Sequence, residues 1–80
     1  MQDEYSDRAN LALRASALWP EVVGPGVNRY TTRRWVKDGV LHVAISSASL
    51  RGELNMSRRA IINHLNERVG AEAITEIYFH

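Results

Sequence analysis

The amino-acid sequence predicts one α+β domain, a two-layer sandwich in the order α-β-β-α-β with two helices on one face of a three-stranded sheet. Three observations predict it: two segments with apolar residues at helical spacing, a pair of β-type runs joined by Asp38-Gly39, and a final alternating run. Eighty residues, 45% of them apolar, suffice for a single core. We therefore expect one domain over residues 1–80, with residues 1–7 disordered at its start.

The first helical segment has apolar residues at the spacing of one buried face, namely Leu11, Ala15, Leu18 and Val22, with Trp19 beside them. Proline suits the first turn of a helix. We expect Trp19-Pro20-Glu21 to end one helix and to start a short second turn through Val23. Gly24-Pro25-Gly26 then predicts a loop.

A hairpin is the clearest local signal, with β-type runs over residues 29–37 and 40–46. A type I′ turn at Asp38-Gly39 gives the core face these pairs: Thr32 with Ile45, Arg34 with Val43, and Val36 with Leu41. The other face then exposes Trp35 opposite His42 and Arg33 opposite Ala44. A register slip would instead bury Trp35, and a one-residue bulge would change which residue faces the core.

A second helical pattern runs from Ala48 to Val69 and ends at Gly70, a residue type that favours a left-handed cap. Its apolar face holds Leu50, Leu54, Ile61 and Leu65. An adjacent polar stripe holds Arg51, Asn55, Arg59 and Asn66, with Arg58 on its boundary. The last run, residues 75–80, alternates as a third strand, with Glu76, Tyr78 and His80 on the face away from the core.

The net charge of +1 conceals an uneven distribution of charge. Residues 1–28 and residues 65–80 each carry −2, whereas residues 29–64 carry +5. Nine of the ten basic residues are arginines, whose forked guanidinium groups bind phosphates and carboxylates. The central segment is therefore suited to nucleic acid or to an acidic protein partner, although a solvated arginine-rich face has the same composition.

Several function classes find no support. The chain has no cysteine, and its histidines, His42, His64 and His80, lack the short spacings of metal ligands, so we expect no metal and no cofactor. Phosphate loops, nucleophile elbows and paired carboxylates are also missing, which predicts a protein that is not an enzyme. No run approaches the ~18 apolar residues of a membrane span, and the acidic start is unlike a signal peptide. The expected location is the cytoplasm.

Five strings resemble the DciA-like domain family, long catalogued as a domain of unknown function, over about Leu18 to Phe79. They are Trp19-Pro20-Glu21-Val22-Val23-Gly24, Tyr30-Thr31-Thr32, Asp38-Gly39-Val40-Leu41-His42-Val43, Leu50-Arg51-Gly52-Glu53-Leu54 and Leu65-Asn66-Glu67-Arg68-Val69-Gly70. The resemblance implies a KH-like fold without the GXXG loop. It also implies a role, because DciA-type proteins are bacterial factors that recruit or load the replicative helicase DnaB and also bind DNA. The segment before Trp19 is shorter than is usual in the family and no tail follows the last strand, so we expect a single-domain member.

The leading hypothesis is a non-enzymatic module of DNA replication that contacts DNA or the helicase through two surfaces. The candidate residues are Arg33, Trp35 and His42 on the sheet and Arg51, Arg58 and Arg59 on the helix stripe. One alternative is a KH-like module that binds RNA through the same surface. Another is a protein-interaction module in which exposed aromatic residues form a weak homodimer or a partner interface.

Overall fold

A computed structural model describes residues 4–80 of the chain, with side chains from Asp7 onward. The elements are α1 (Glu4–Ala17), α2 (Trp19–Asn28), β1 (Thr31–Lys37), β2 (Val40–Ile45), α3 (Ala48–Met56), α4 (Arg58–Val69) and β3 (Glu76–Phe79). The strands form one mixed sheet in the order β1-β2-β3, with β1 antiparallel and β3 parallel to β2. The predicted α+β class is confirmed, with four helical segments where two helices and a short turn are predicted.

The N-terminal helical region differs from its prediction at its C-terminal end. Helix α1 begins at Glu4 and leads without a break to the buried Ala12 and Ala15; residues 1–3, where disorder is expected, lie outside the described part. Pro20 stands in the first turn of α2, as predicted. The second helical segment continues past Val23 to Asn28, with a kink at Gly24, whose φ of 85° is accessible to glycine at little cost.

The hairpin has the predicted pairing over most of its length. Asp38 and Gly39 both have positive φ, 52° and 78°, as a type I′ turn requires. Trp35 lies opposite His42. The prediction for Thr32 is wrong, because a bulge between Thr31 and Arg33 places Thr31 opposite Ile45 and leaves Thr32 exposed.

The predicted long helix from Ala48 to Val69 is interrupted at Ser57, whose φ of −100° and ψ of 9° separate α3 from α4. The break changes the phase of the buried face, so Ile62 is buried and Ile61 is only partly covered. It also means that Arg51 and Arg59 stand on different helices. Gly70 caps α4 in the left-handed conformation that its position predicts, with φ of 87°.

The core lies between the helices and one face of the sheet. Leu41, Val43 and Ile45 alternate inward along β2, and Trp19 is completely buried. The indole of Trp19 lies 6.1 Å from the Phe79 ring, centroid to centroid. None of the helices in the described part of the chain has the length and apolar character required to cross a bilayer.

Candidate nucleic-acid interface

The sheet face opposite the helices carries a short row of rings. The strand registers place His42 between Trp35 on β1 and Tyr78 on β3. In the next row, Ala44 lies opposite Arg33, and His80 exchanges backbone hydrogen bonds with the residues on either side of Ala44. The predicted open face is therefore present, and Trp35 lies on it instead of in the core.

The rings are packed against one another, and we call Trp35, His42, Tyr78 and His80 the ring cluster. Trp35 and His42 are stacked, with centroids 4.9 Å apart and planes 5° from parallel. His80 stacks on Trp35 at 5.1 Å and 26°, reaching it past the small side chain of Ala44. Tyr78 is tilted against His42 at 5.6 Å and 56°, and half of its surface is exposed. The cluster thus forms an ordered and partly exposed stacking surface.

Two imidazoles of the ring cluster also share a hydrogen bond. The Nδ1 atom of His42 lies 2.9 Å from the Nε2 atom of His80, which requires one nitrogen to donate and the other to accept. Burial, followed by the charges of His80 and Lys37, lowers the pKa of His42 below the ordinary value of 6.5. The site therefore favours a neutral His42 at neutral pH.

Cations border the ring cluster on β1. The guanidinium carbon of Arg33 lies 4.6 Å from the centroid of Trp35, a cation–π contact. Lys37 follows two residues after Trp35 on the same strand and is exposed. Because alternate residues of a strand share a face, both positive charges lie on the side of the rings. Phosphates along this strand would meet charge and stacking surface together.

The three helix arginines predicted as a stripe have separate environments. Arg51 donates from Nη2 to the carbonyl oxygen of Ile45 at 2.9 Å, so its guanidinium secures the end of β2. The Nε atom of Arg58 pairs with Oε1 of Glu76 at 3.2 Å, which brings this arginine to the β3 edge of the sheet. Arg59 is exposed. The break at Ser57 and these contacts leave Arg59 as the member of the three whose charge is most open to solvent.

Two residues of the ring cluster, Tyr78 and His80, are not among the predicted candidate residues, and of these two it is His80 that stacks on Trp35. The alternation of the last strand places it on the same face as Tyr78, so the sequence contained the signal for its orientation. Its stacking on Trp35 depends on the order of the strands, which no local pattern reveals. Among the residues that the structure describes, no three histidine, aspartate or glutamate side chains converge as a metal site.

Fold and site together define a small α+β domain with a ring-lined and cation-bordered sheet face. A family model described as "Dna[CI] antecedent, DciA" matches residues 3–79, and the chain belongs to this family. It is also 32% identical over 59 residues to a "UPF0232 protein" of Corynebacterium glutamicum (strain R). That match includes 74% of this chain and 33% of the relative, so the chain corresponds to about a third of the relative's length.

Proposed function

We propose that this domain is a non-enzymatic nucleic-acid-binding module of DNA replication, a KH-like module without the GXXG loop that helps to recruit the helicase DnaB. The observation that carries the DNA-binding part is the cation–π contact of Arg33 with Trp35, whose ring is stacked with that of His42. Membership of the DciA family supports the helicase part. The residues proposed for the interface are Arg33, Trp35, His42, Arg51, Arg58 and Arg59.

Single-stranded DNA suits this face better than a duplex. Bases of a single strand are free to stack on protein rings, whereas in a duplex they stack on one another. Tyr78 is exposed over 51% of its surface and gives an entering base a ring to cover. Arg33 is exposed, so its guanidinium can leave Trp35 for a phosphate and leave the indole to a second base. The face thus supplies rings that stack on bases and, in the adjacent row, a cation that neutralises a phosphate.

The helix arginines extend this surface around the β3 edge. Arg58 reaches that edge through its ion pair with Glu76, and Arg59 follows it at the start of α4. Arg51 lies toward the other end of the sheet, because it binds Ile45 at the end of β2, whereas Glu76 pairs with Val40 at the start of that strand. We propose that DNA crosses the sheet and that Arg58 and Arg59 contact its continuation or the helicase.

Fluorescence anisotropy with a labelled poly-thymidine oligonucleotide tests the DNA part. Each stacked base contributes ~1–3 kcal/mol, so Trp35→Ala should weaken binding by roughly 5- to 150-fold. Tyr30→Ala is the matched aromatic control, because Tyr30 is exposed but precedes β1. Equal affinities for the wild type and Trp35→Ala would contradict the proposal.

The electrostatic part has its own measurement. If Arg33 and two further cations contact phosphates, log affinity should fall with log salt concentration with a slope of about −2. Arg33→Glu and Arg59→Glu should both flatten this slope, whereas Arg14→Glu, an exposed charge on α1, should not. A slope near zero in the wild type would exclude the phosphate contacts.

Partner identity requires two further comparisons. Competition between matched DNA and RNA oligonucleotides distinguishes the replication module from an RNA-binding one, since RNA alone offers the 2′-hydroxyl. Binding of the domain to purified DnaB of the same organism tests the helicase part, with Arg59→Glu expected to weaken it. Sedimentation over a concentration series tests the homodimer: a sedimentation coefficient that stays at the monomer value excludes self-association through the exposed rings.

A further inference from the structure

The two imidazoles of the ring cluster restrict each other's protonation. A hydrogen bond of 2.9 Å between Nδ1 of His42 and Nε2 of His80 holds when one nitrogen carries a proton and the other does not. Two protonated rings would direct two N–H groups at each other. The pair therefore keeps this contact with at most one positive charge.

Loss of the hydrogen bond between His42 and His80 would require only a local rearrangement of the packed rings. The ring centroids of Trp35, His42 and His80 lie 4.9 to 5.1 Å from one another, a nearly equilateral triangle. His80 is exposed and follows the last residue of β3, so it is the ring with freedom to move outward. A second proton would release His80 while His42 stays on Trp35.

Nearby charges decide when that proton binds. The groups on or beside the open face are Arg33 and Lys37 on β1, Asp38 in the turn, and Glu76 and Tyr78 on β3. The two cations oppose a further positive charge on the pair. The Glu76 carboxylate favours it, but Arg58 already pairs with that carboxylate. Without a ligand, the balance of charge therefore opposes the second proton.

We propose that the His42–His80 pair makes nucleic-acid binding at this face proton-linked. The phosphodiester backbone supplies negative charge beside the pair, the pair takes up its second proton, and His80 turns from His42 to a phosphate. This inference rests on the proposed function and adds its regulation. Affinity for DNA should then increase as the pH falls, by up to about tenfold per pH unit for one proton taken up.

Binding of a poly-thymidine oligonucleotide at constant ionic strength, between about pH 7.5 and 5.5, tests the proposal, because thymine does not titrate there. The wild type and His64→Gln should gain affinity on acidification. His64 is exposed on α4 and serves as the matched control. The double variant His42→Gln/His80→Gln should bind with little dependence on pH, since glutamine forms hydrogen bonds but takes up no proton.

Parallel pH dependences for the wild type and the double variant would overturn the proton linkage and leave the proposed function intact. No binding at any pH would overturn the proposed function together with this inference. The free protein gives a separate reading by NMR of the imidazole Cε1–H groups. Resonances of His42 and His80 should respond to the same protonation events, whereas unconnected curves for the two rings would overturn the pair as a proton-linked unit.

Discussion

The indole Nε1 of Trp19 donates a hydrogen bond to Oγ1 of Thr31 at 3.0 Å, which joins the start of α2 to the start of β1. Trp19 is completely buried, so this hydrogen bond provides the acceptor that its indole N–H needs within the core. Thr31 occupies that place because the bulge after it turns Thr32 outward. The bulge therefore satisfies a buried donor.

Thr31→Val should destabilise the domain by ~1–3 kcal/mol, because valine keeps the shape of threonine but leaves the buried indole N–H without an acceptor. Thr32→Val is the matched control, since Thr32 is exposed, and should change stability by less than ~0.5 kcal/mol. Urea denaturation measures both. Equal stabilities of the two variants would mean that the indole bond contributes nothing.

Asn66 should be the most sensitive polar side chain of α4. Its Oδ1 accepts from the backbone N–H groups of Ala73 and Ile74, both at 3.0 Å, and its Nδ2 donates to the carbonyl of Ile74 at 2.9 Å. We expect Asn66→Ala to cost ~2–4 kcal/mol, because it leaves backbone groups of a buried segment unpaired. Asn63→Ala, an exposed position on the same helix, should be near neutral in thermal unfolding. A small effect at residue 66 would show that water replaces these bonds.

Ala44 should control the geometry of the ring cluster. A larger side chain there would occupy the space across which His80 reaches Trp35, so Ala44→Leu should separate these two rings. The expected result is loss of the ring-current shift of His80 in NMR spectra and weaker oligonucleotide binding. Val40→Leu enlarges a residue on the same face but two rows from Ala44, beyond His42, and should leave the shift unchanged. An unchanged His80 shift in Ala44→Leu would contradict this role.

Stability should fall on acidification partly because of His42. Burial, His80 and Lys37 lower its pKa in the folded protein, so the unfolded chain binds more protons below about pH 6.5. The contribution of His42 is therefore present above pH 6.5 and is lost as the pH falls toward its folded value. Denaturation midpoints between about pH 7.5 and 5.5 should decline less in His42→Gln than in the wild type. A steeper decline in the variant would contradict a lowered pKa of His42 in the folded protein.

The hairpin and the cap at Gly70 could be predicted because their signals are local. Asp38-Gly39 has the backbone freedom that a type I′ turn needs, and the turn fixes the pairing of Trp35 with His42. The break at Ser57 could not be predicted, since serine is compatible with a continuing helix and the sequence around it keeps a helical period. A helical wheel assumes an unbroken helix, so it places Arg51 and Arg59 on one stripe although they stand on different helices.

The sequence alone determined the α+β class, the faces of the strands and the concentration of arginine in the centre of the chain, since each depends on period, turn chemistry or composition. Tertiary structure decided which of these residues meet. The strand order brings His80 from the last strand beside Trp35 of the first, and the bulge selects Thr31 as the partner of Trp19. Such contacts between distant residues follow from packing, in which many residues take part at once, and local patterns do not specify them.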